Sequence, residues 1–171
     1  MTKFNLSIIT AVLTIALFTS CASDNSEQQS DLTKAPDFEV TTISDETISL
    51  QQSLDDDKPL VVYFTASWCP TCAKNWPVLS ELYPEYEDRL TMVAISIDPT
   101  DDLDVMTKLA EEKGFTFPST VGHPEIMLDF GVEAQATTVG VNKEGYIEFM
   151  KKGVALNEAE YRELFDSLLT D

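Results

Sequence analysis

Leu60-Val61-Val62-Tyr63-Phe64-Thr65-Ala66-Ser67-Trp68-Cys69-Pro70-Thr71-Cys72, continued by Ala73-Lys74-Asn75-Trp76-Pro77, is the stretch that decides the reading of this chain. From Leu60 to Ala66 the apolar run is continuous rather than alternating, the pattern of a strand covered on both faces. From Ala73 to Tyr86 the period changes, and Trp76, Leu79, Leu82, Tyr83 and Tyr86 fall on one helical stripe. Pro77 inside that stripe predicts a kink rather than a stop. Between strand and helix stand two cysteines with two residues between them. Thiols at that spacing, at a helix N-terminus, describe a redox dithiol.

The same alternation of strand and helix continues on either side. Asp37 to Thr41 and Thr47 to Leu50 read as short strands around a turn at Ser44-Asp45. Thr91 to Ile97 is a second central strand, followed by a helix marked by Leu103, Met106, Leu109 and Ala110, started by Thr100 or Asp101 and stopped at Gly114. Glu125 to Phe130 is a short helix. Thr138 to Val141 and Tyr146 to Met150 flank Asn142-Lys143-Glu144-Gly145, a turn that makes them a hairpin. Asn157 with Glu160 begins a last helix, whose Tyr161, Leu164, Phe165, Leu168 and Leu169 recur at helical spacing. These elements make an α/β domain, a central mixed sheet flanked by helices on both faces, over residues 36–171. A dithiol at the end of its central strand lies where α/β sheets place ligands.

A chain of 171 residues is one domain's worth and needs no disulfide staple. Its 30 acids against 11 bases leave a formal charge of -19, which argues against nucleic acid and anionic membrane surfaces as partners. The acids are scattered, so the plain reading is a solvated, salt-tolerant surface, with attraction of a basic partner the weaker alternative.

Residues 1–20 stand apart from the fold. Lys3 supplies a short positive region, Leu6 to Phe18 an uncharged apolar one, and Phe18-Thr19-Ser20 lead into Cys21. This is a secretory signal, too short to span a ~30 Å hydrocarbon core as a permanent helix. Thr19-Ser20-Cys21 resembles a bacterial lipobox, with Phe18 where that pattern usually has Leu. The resemblance implies cleavage before Cys21 and acyl chains carried on that cysteine, tethering the chain to a membrane on its extracytoplasmic side; an ordinary signal peptide with an incidental cysteine is the alternative. Residues 22–35 are polar and read with Cys21 as a flexible tether.

From about Pro36 to Leu169 the chain resembles the thioredoxin superfamily, and within it the extracytoplasmic thiol:disulfide oxidoreductases called TlpA/ResA-like. Four features carry the resemblance. They are Trp68-Cys69-Pro70-Thr71-Cys72 after a buried strand, Pro77 five residues beyond Cys72, Thr137-Thr138 leading into a strand and hairpin that ends Gly145-Tyr146-Ile147, and the extra segment from Leu103 to Phe130. Cys69 at the helix N-terminus, where the dipole and free backbone N–H groups favour thiolate, is the expected nucleophile. Cys72, one turn on, is the expected resolving cysteine, and the two form the redox-active disulfide. Trp68, Pro70, Thr71, Ala136 and Thr137 are the expected substrate groove, with Trp76 either there or in the core. Protein disulfides are the implied substrates. A membrane electron-transfer partner is the implied donor, cytochrome maturation the family's common setting, and reduction the implied direction. No cofactor or metal is called for.

Three departures from the family stand out. Ala136 occupies the place where a cis-proline normally faces the dithiol, and a non-proline cis bond costs ~2.5 to 4 kcal/mol, so this bond is expected to be trans. Tyr63, six residues before Cys69, and Asn75, three after Cys72, stand where relatives carry an acid that moves a proton to or from the resolving cysteine. Neither is a carboxylate. Lys74 could favour a thiolate, although a lysine on a helix surface is ordinarily just solvated.

Three other readings compete. A structural disulfide between Cys69 and Cys72 would close so short a loop that it gains little chain entropy. A copper(I) chaperone would recruit Cys69, Cys72 and the sole histidine, His123, a thin ligand set. A peroxiredoxin-like peroxidase needs a proline seven before its nucleophile and a threonine three before it. Those positions are Val62 and Ala66 for Cys69, and Thr65 and Cys69 for Cys72.

Overall fold

The structure is a computed structural model, and it describes residues 32–170. Among these described residues thirteen short elements follow one another. Strands β1 (Glu39–Thr41) and β2 (Thr47–Ser49) are followed by helix α1 (Leu50–Asp55) and strand β3 (Leu60–Thr65). Helix α2 (Cys72–Leu82) runs into a 3-10 turn, Tyr83–Glu85, and then come β4 (Thr91–Ser96), α3 (Leu103–Lys113) and β5 (Ser119–Gly122). The chain ends with α4 (Pro124–Asp129), β6 (Thr137–Val141), β7 (Ile147–Lys151) and α5 (Glu158–Leu169).

Five strands form the mixed sheet in the order β5-β4-β3-β6-β7. The pairs β3–β4 and β4–β5 are parallel, and β3–β6 and β6–β7 antiparallel. All six residues of β3 are buried, which explains its unbroken apolar run. Its side chains divide with period two. Val61 and Tyr63 join the cluster built from Leu79 and Leu82 of α2 and Tyr161 and Phe165 of α5, while Leu60, Val62 and Phe64 pack with Phe38, Ile48, Ile126 and Phe130. Helices therefore cover both faces, as the α/β pattern requires.

Several boundaries move, each for a local reason. The second strand stops at Ser49 because the Ser49 hydroxyl accepts from Gln52 N at 3.0 Å and caps α1; with two apolar residues in six, α1 left no periodic trace. The stripe to Tyr86 breaks at Leu82, where Pro84 tightens the chain into the 3-10 turn. Asp102, rather than Thr100 or Asp101, caps α3 by accepting from Val105 N, and Gly114 ends that helix at φ 67°. Strand β5 leaves no strand pattern in the sequence, since Val121 is its one strongly apolar residue and it is an edge strand paired irregularly with β4. The last helix carries the full capping box, Asn157 Oδ1 accepting from Glu160 N and Glu160 Oε2 from Asn157 N.

The start of the domain also moves. The polar composition predicts a tether through residue 35, but Ala35 N donates to Gly145 O at 2.9 Å and Ile147 N to Thr33 O at 2.8 Å, and Ala35 is buried. Backbone pairing with the β6–β7 hairpin, invisible in a polar composition, draws them into the fold. Residues 1–31, with the expected leader and Cys21, lie outside the described residues.

Gly122, at the end of β5, is pressed against the loop after β4, and a Cβ there would fall on the Asp98 carbonyl. Gly122→Ala should therefore destabilise the protein by about 1–3 kcal/mol, the usual cost of overpacking. Urea unfolding checks this, and a change under 0.5 kcal/mol would show that the loop gives way freely.

Candidate active site

The register of β3 places the site. Thr65 pairs with Ser96 of β4, and Phe64 with Thr137 of β6. The turn after β3, the loop after β4 and the segment before β6 therefore emerge at one end of the sheet. Cys69 N donates to Ala66 O at 3.1 Å, closing a turn, and Cys69 O accepts from Ala73 N at 3.1 Å, the first helical bond toward α2. Cys72 N donates to Cys69 Sγ at 3.0 Å. The sulfur of Cys69 thus occupies the place of a capping oxygen, facing the unpaired N–H groups of the helix start. Cys69 and Cys72 are joined as a disulfide with their Cα atoms 5.2 Å apart, both buried, Cys72 fully.

The expected groove residues are brought together unequally. Trp68 is 58% exposed, Pro70 exposed and Thr71 half-buried, while Ala136 and Thr137 are buried. Trp76 is a core residue. Its indole donates to Thr65 Oγ1 at 3.0 Å and packs on Phe115. Lys74 is exposed on α2. His123 precedes α4 with Nδ1 2.9 Å from Glu125 Oε1, and among the described residues no group of three or more His, Cys, Asp or Glu side chains could hold a metal ion.

Two aspartates of the loop after β4 grip the turn that precedes Cys69. Asp101 is buried and its carboxylate accepts from Ser67 N at 2.9 Å, Ser67 Oγ at 2.6 Å and Ser96 Oγ at 2.5 Å. Asp98 accepts the Trp68 indole N–H at 2.5 Å and is itself held by the backbone and hydroxyl of Thr100 at 2.8 and 2.7 Å. The Thr100 bonds, and then the Trp68 indole, hold the Asp98 carboxyl below the ordinary aspartate range. Sequence reading missed both. Asp101 looked like a helix start, and partners 30 and 34 residues away leave no local signal.

Beneath the dithiol the polar groups are neutral. Tyr63 is buried, which pushes its phenol above the usual range, and its hydroxyl accepts from Asn75 Nδ2 at 3.1 Å. Asn75 also donates to Val154 O and accepts from Leu156 N, both at 2.9 Å. Tyr161, likewise raised by burial, lies 3.3 Å from Thr138 Oγ1. At Ala136 the peptide bond is trans, as is every peptide bond among the described residues, but φ is 56°. That left-handed conformation costs a residue with a Cβ about 1–2 kcal/mol. It is secured by Val154 N donating to Ala136 O at 3.1 Å, and by Thr137 Oγ1, which donates to Ala134 O at 2.7 Å and accepts from Gly153 N at 3.2 Å.

A dithiol at the head of a helix, fed by the central strand of a helix-flanked mixed sheet and needing only sulfur to exchange electrons, defines a thioredoxin-like thiol:disulfide oxidoreductase. The thioredoxin-like protein YneN of Bacillus subtilis is 30% identical over 121 residues, covering 70% of each chain. The thiol-disulfide oxidoreductase ResA of Oceanobacillus iheyensis is 29% identical over 154 residues, 86% of this chain and 78% of its own. In fold, the crystal structure of a thioredoxin-family thiol:disulfide interchange protein from Chlorobium tepidum superposes with a TM-score of 0.70 at 22% identity, over 81% of this chain and 97% of that one. The AhpC/TSA family model matches residues 32–150, and the chain belongs to that family.

Two measurements follow from this geometry. Ala136→Gly should raise stability by about 0.5–1 kcal/mol in urea unfolding, because glycine enters the left-handed region without the Cβ penalty, offset in part by its larger unfolded-state entropy; a loss of stability would contradict the assigned φ. For Asp98, a folded pKa below the unfolded one means the contact with Trp68 is complete above the ordinary aspartate pKa of about 3.9 and is lost as pH falls through the lower folded value. The Trp68 indole N–H resonance should hold its position down to about pH 4 and move only below it. A transition centred above that pH would show the carboxyl is not so held.

Proposed function

We propose that this protein is an extracytoplasmic, membrane-tethered reductant of protein disulfides. Cys69 is the attacking cysteine and Cys72 the resolving one. The observation that carries the assignment is the Cys72 N–H directed at Cys69 Sγ at 3.0 Å, at the start of α2: in the reduced state the same N–H and the helix dipole favour a Cys69 thiolate. That thiolate attacks one sulfur of a substrate disulfide. A mixed disulfide forms, and the other substrate sulfur leaves as a thiolate and takes a proton. Cys72, deprotonated, then attacks Cys69 Sγ, and the second substrate sulfur departs. Two electrons have passed to the substrate and the protein is left with the Cys69–Cys72 disulfide. A dithiol donor on a membrane electron-transfer partner resets it by the same exchange in reverse.

Trp68, Pro70, Thr71, Ala136 and Thr137 form the groove for the polypeptide around the substrate disulfide. The tether is a lipid on Cys21, supported by the leader Leu6 to Phe18 and by Thr19-Ser20 before the cysteine. No helix among the described residues is long and apolar enough to cross a membrane. Cytochrome c maturation is the setting in which the resembled oxidoreductases commonly act, and it is the substrate context we favour. The peroxidase reading lacks its motif, with Val62 and Ala66 where proline and threonine are needed.

In Cys72→Ser, disulfide-linked substrate adducts should accumulate on Cys69; adducts on residue 72's side in a Cys69→Ser variant alone would reverse the roles. A reduction potential of the pair near or below about -270 mV would agree with a reductant, and one near about -120 mV would make it an oxidant. Mass spectrometry of the mature N-terminus should find an acylated Cys21, and an unmodified N-terminal residue would end the lipid-anchor assignment.

A further inference from the structure

The left-handed conformation of Ala136 persists because its surroundings over-determine it, and such conformations gather at functional sites. Beyond the Thr137 bond to Ala134 O, part of these surroundings is held by one side chain. Val154 N and Gly153 N reach Ala136 O and Thr137 Oγ1, so the chain entering Val154 lies against the segment before β6. Asn75 seizes the same chain from α2, taking Val154 O on its Nδ2 and Leu156 N on its Oδ1. A carbonyl and the N–H two residues on are what a neighbouring strand would bind. The remaining Asn75 N–H goes to Tyr63, so the fully buried amide has every donor and a lone pair engaged.

Both ends of this linkage lie at the dithiol. Asn75 is three residues past Cys72, one turn along α2. Ala136 precedes Thr137, which pairs with Phe64 at the end of β3, and it shares a packed cluster with Cys69 and Cys72. We propose that Asn75 is a positioning residue for disulfide exchange: by clamping Val154 and Leu156 it sets the Ala136–Thr137 segment against the Cys69–Cys72 turn and so shapes the groove for a polypeptide disulfide. The inference rests on the exchange function proposed above. Its substrate class is an extended polypeptide, because a small disulfide can meet Cys69 without lying along Ala136 and Thr137.

The test is steady-state reduction by the full chain of two probes, insulin as polypeptide disulfide and bis(2-hydroxyethyl) disulfide as small one. In Asn75→Ala, KM for insulin should rise about fivefold with kcat changed less than twofold, and the small probe should be affected less than insulin. Adding Ala136→Gly should recover much of that KM, since glycine holds the left-handed conformation unaided. Equal losses on both probes, or a KM deficit undiminished by Ala136→Gly, would assign Asn75 to general packing and overturn the proposal. Hydrogen exchange of the wild type needs no variant. The Val154 and Leu156 amides should exchange as slowly as those of β6, and fast exchange at both would show there is no clamp. Wild-type protein that reduces neither probe overturns the exchange function itself, whereas an active wild type with an unmoved insulin KM in Asn75→Ala overturns the role of Asn75 alone.

Discussion

Strand β3 is bonded along both edges, to β4 on one and β6 on the other, and its side chains are buried on both faces. A shift of one residue would exchange Val61 and Tyr63 with Val62 and Phe64 between two cores of different shape, so the register has no alternative. The point at which the chain leaves the sheet is thereby set. The pairs Thr65–Ser96 and Phe64–Thr137 then bring the loop with Asp98 and Asp101, and the segment with Ala136, to the same end as the dithiol. The site is thus a consequence of strand pairing before it is a consequence of any catalytic side chain.

Around the dithiol, charge and neutrality are kept apart. On the β4 side, Asp101 is buried but has three donors, which offsets the cost of removing a carboxylate from water. On the β6 side, Tyr63, Asn75, Thr138 and Tyr161 are buried without any charge, each with a hydrogen-bond partner. An unpartnered group in either place would cost about 1–3 kcal/mol, comparable to the penalty at Ala136. The turn carrying Cys69 is consequently gripped by Asp101 through Ser67 and by Asp98 through Trp68, while Cys72 shares a buried cluster with Tyr63 and Tyr161.

What was legible from the chain was legible because it was local and repeated. The unbroken run of β3, the stripe of α2, the capping box of α5 and the Asn142–Gly145 turn each declare themselves within a few residues, and the hairpin turn closes through Gly145 N to Asn142 O at 2.9 Å. Strand β5 and helix α1 did not, being four and six residues long with few apolar side chains. The docking of Thr33 and Ala35 on Gly145 and Ile147 was equally silent, since backbone pairing leaves no mark on composition.

From sequence alone follow the fold class, the place of the dithiol between strand and helix, and the absence of a carboxylate at Tyr63 and Asn75 and of proline at Ala136. Those are properties of residue type and spacing. Tertiary structure decided the rest: that Trp68 lies outside and Trp76 inside, that Asp98 and Asp101 hold the turn before Cys69, and that Asn75 reads the backbone of Val154 and Leu156, 79 and 81 residues away. A hydrogen bond depends on a few ångströms in space and is indifferent to separation along the chain, so these partners could be paired only once the strands were in register.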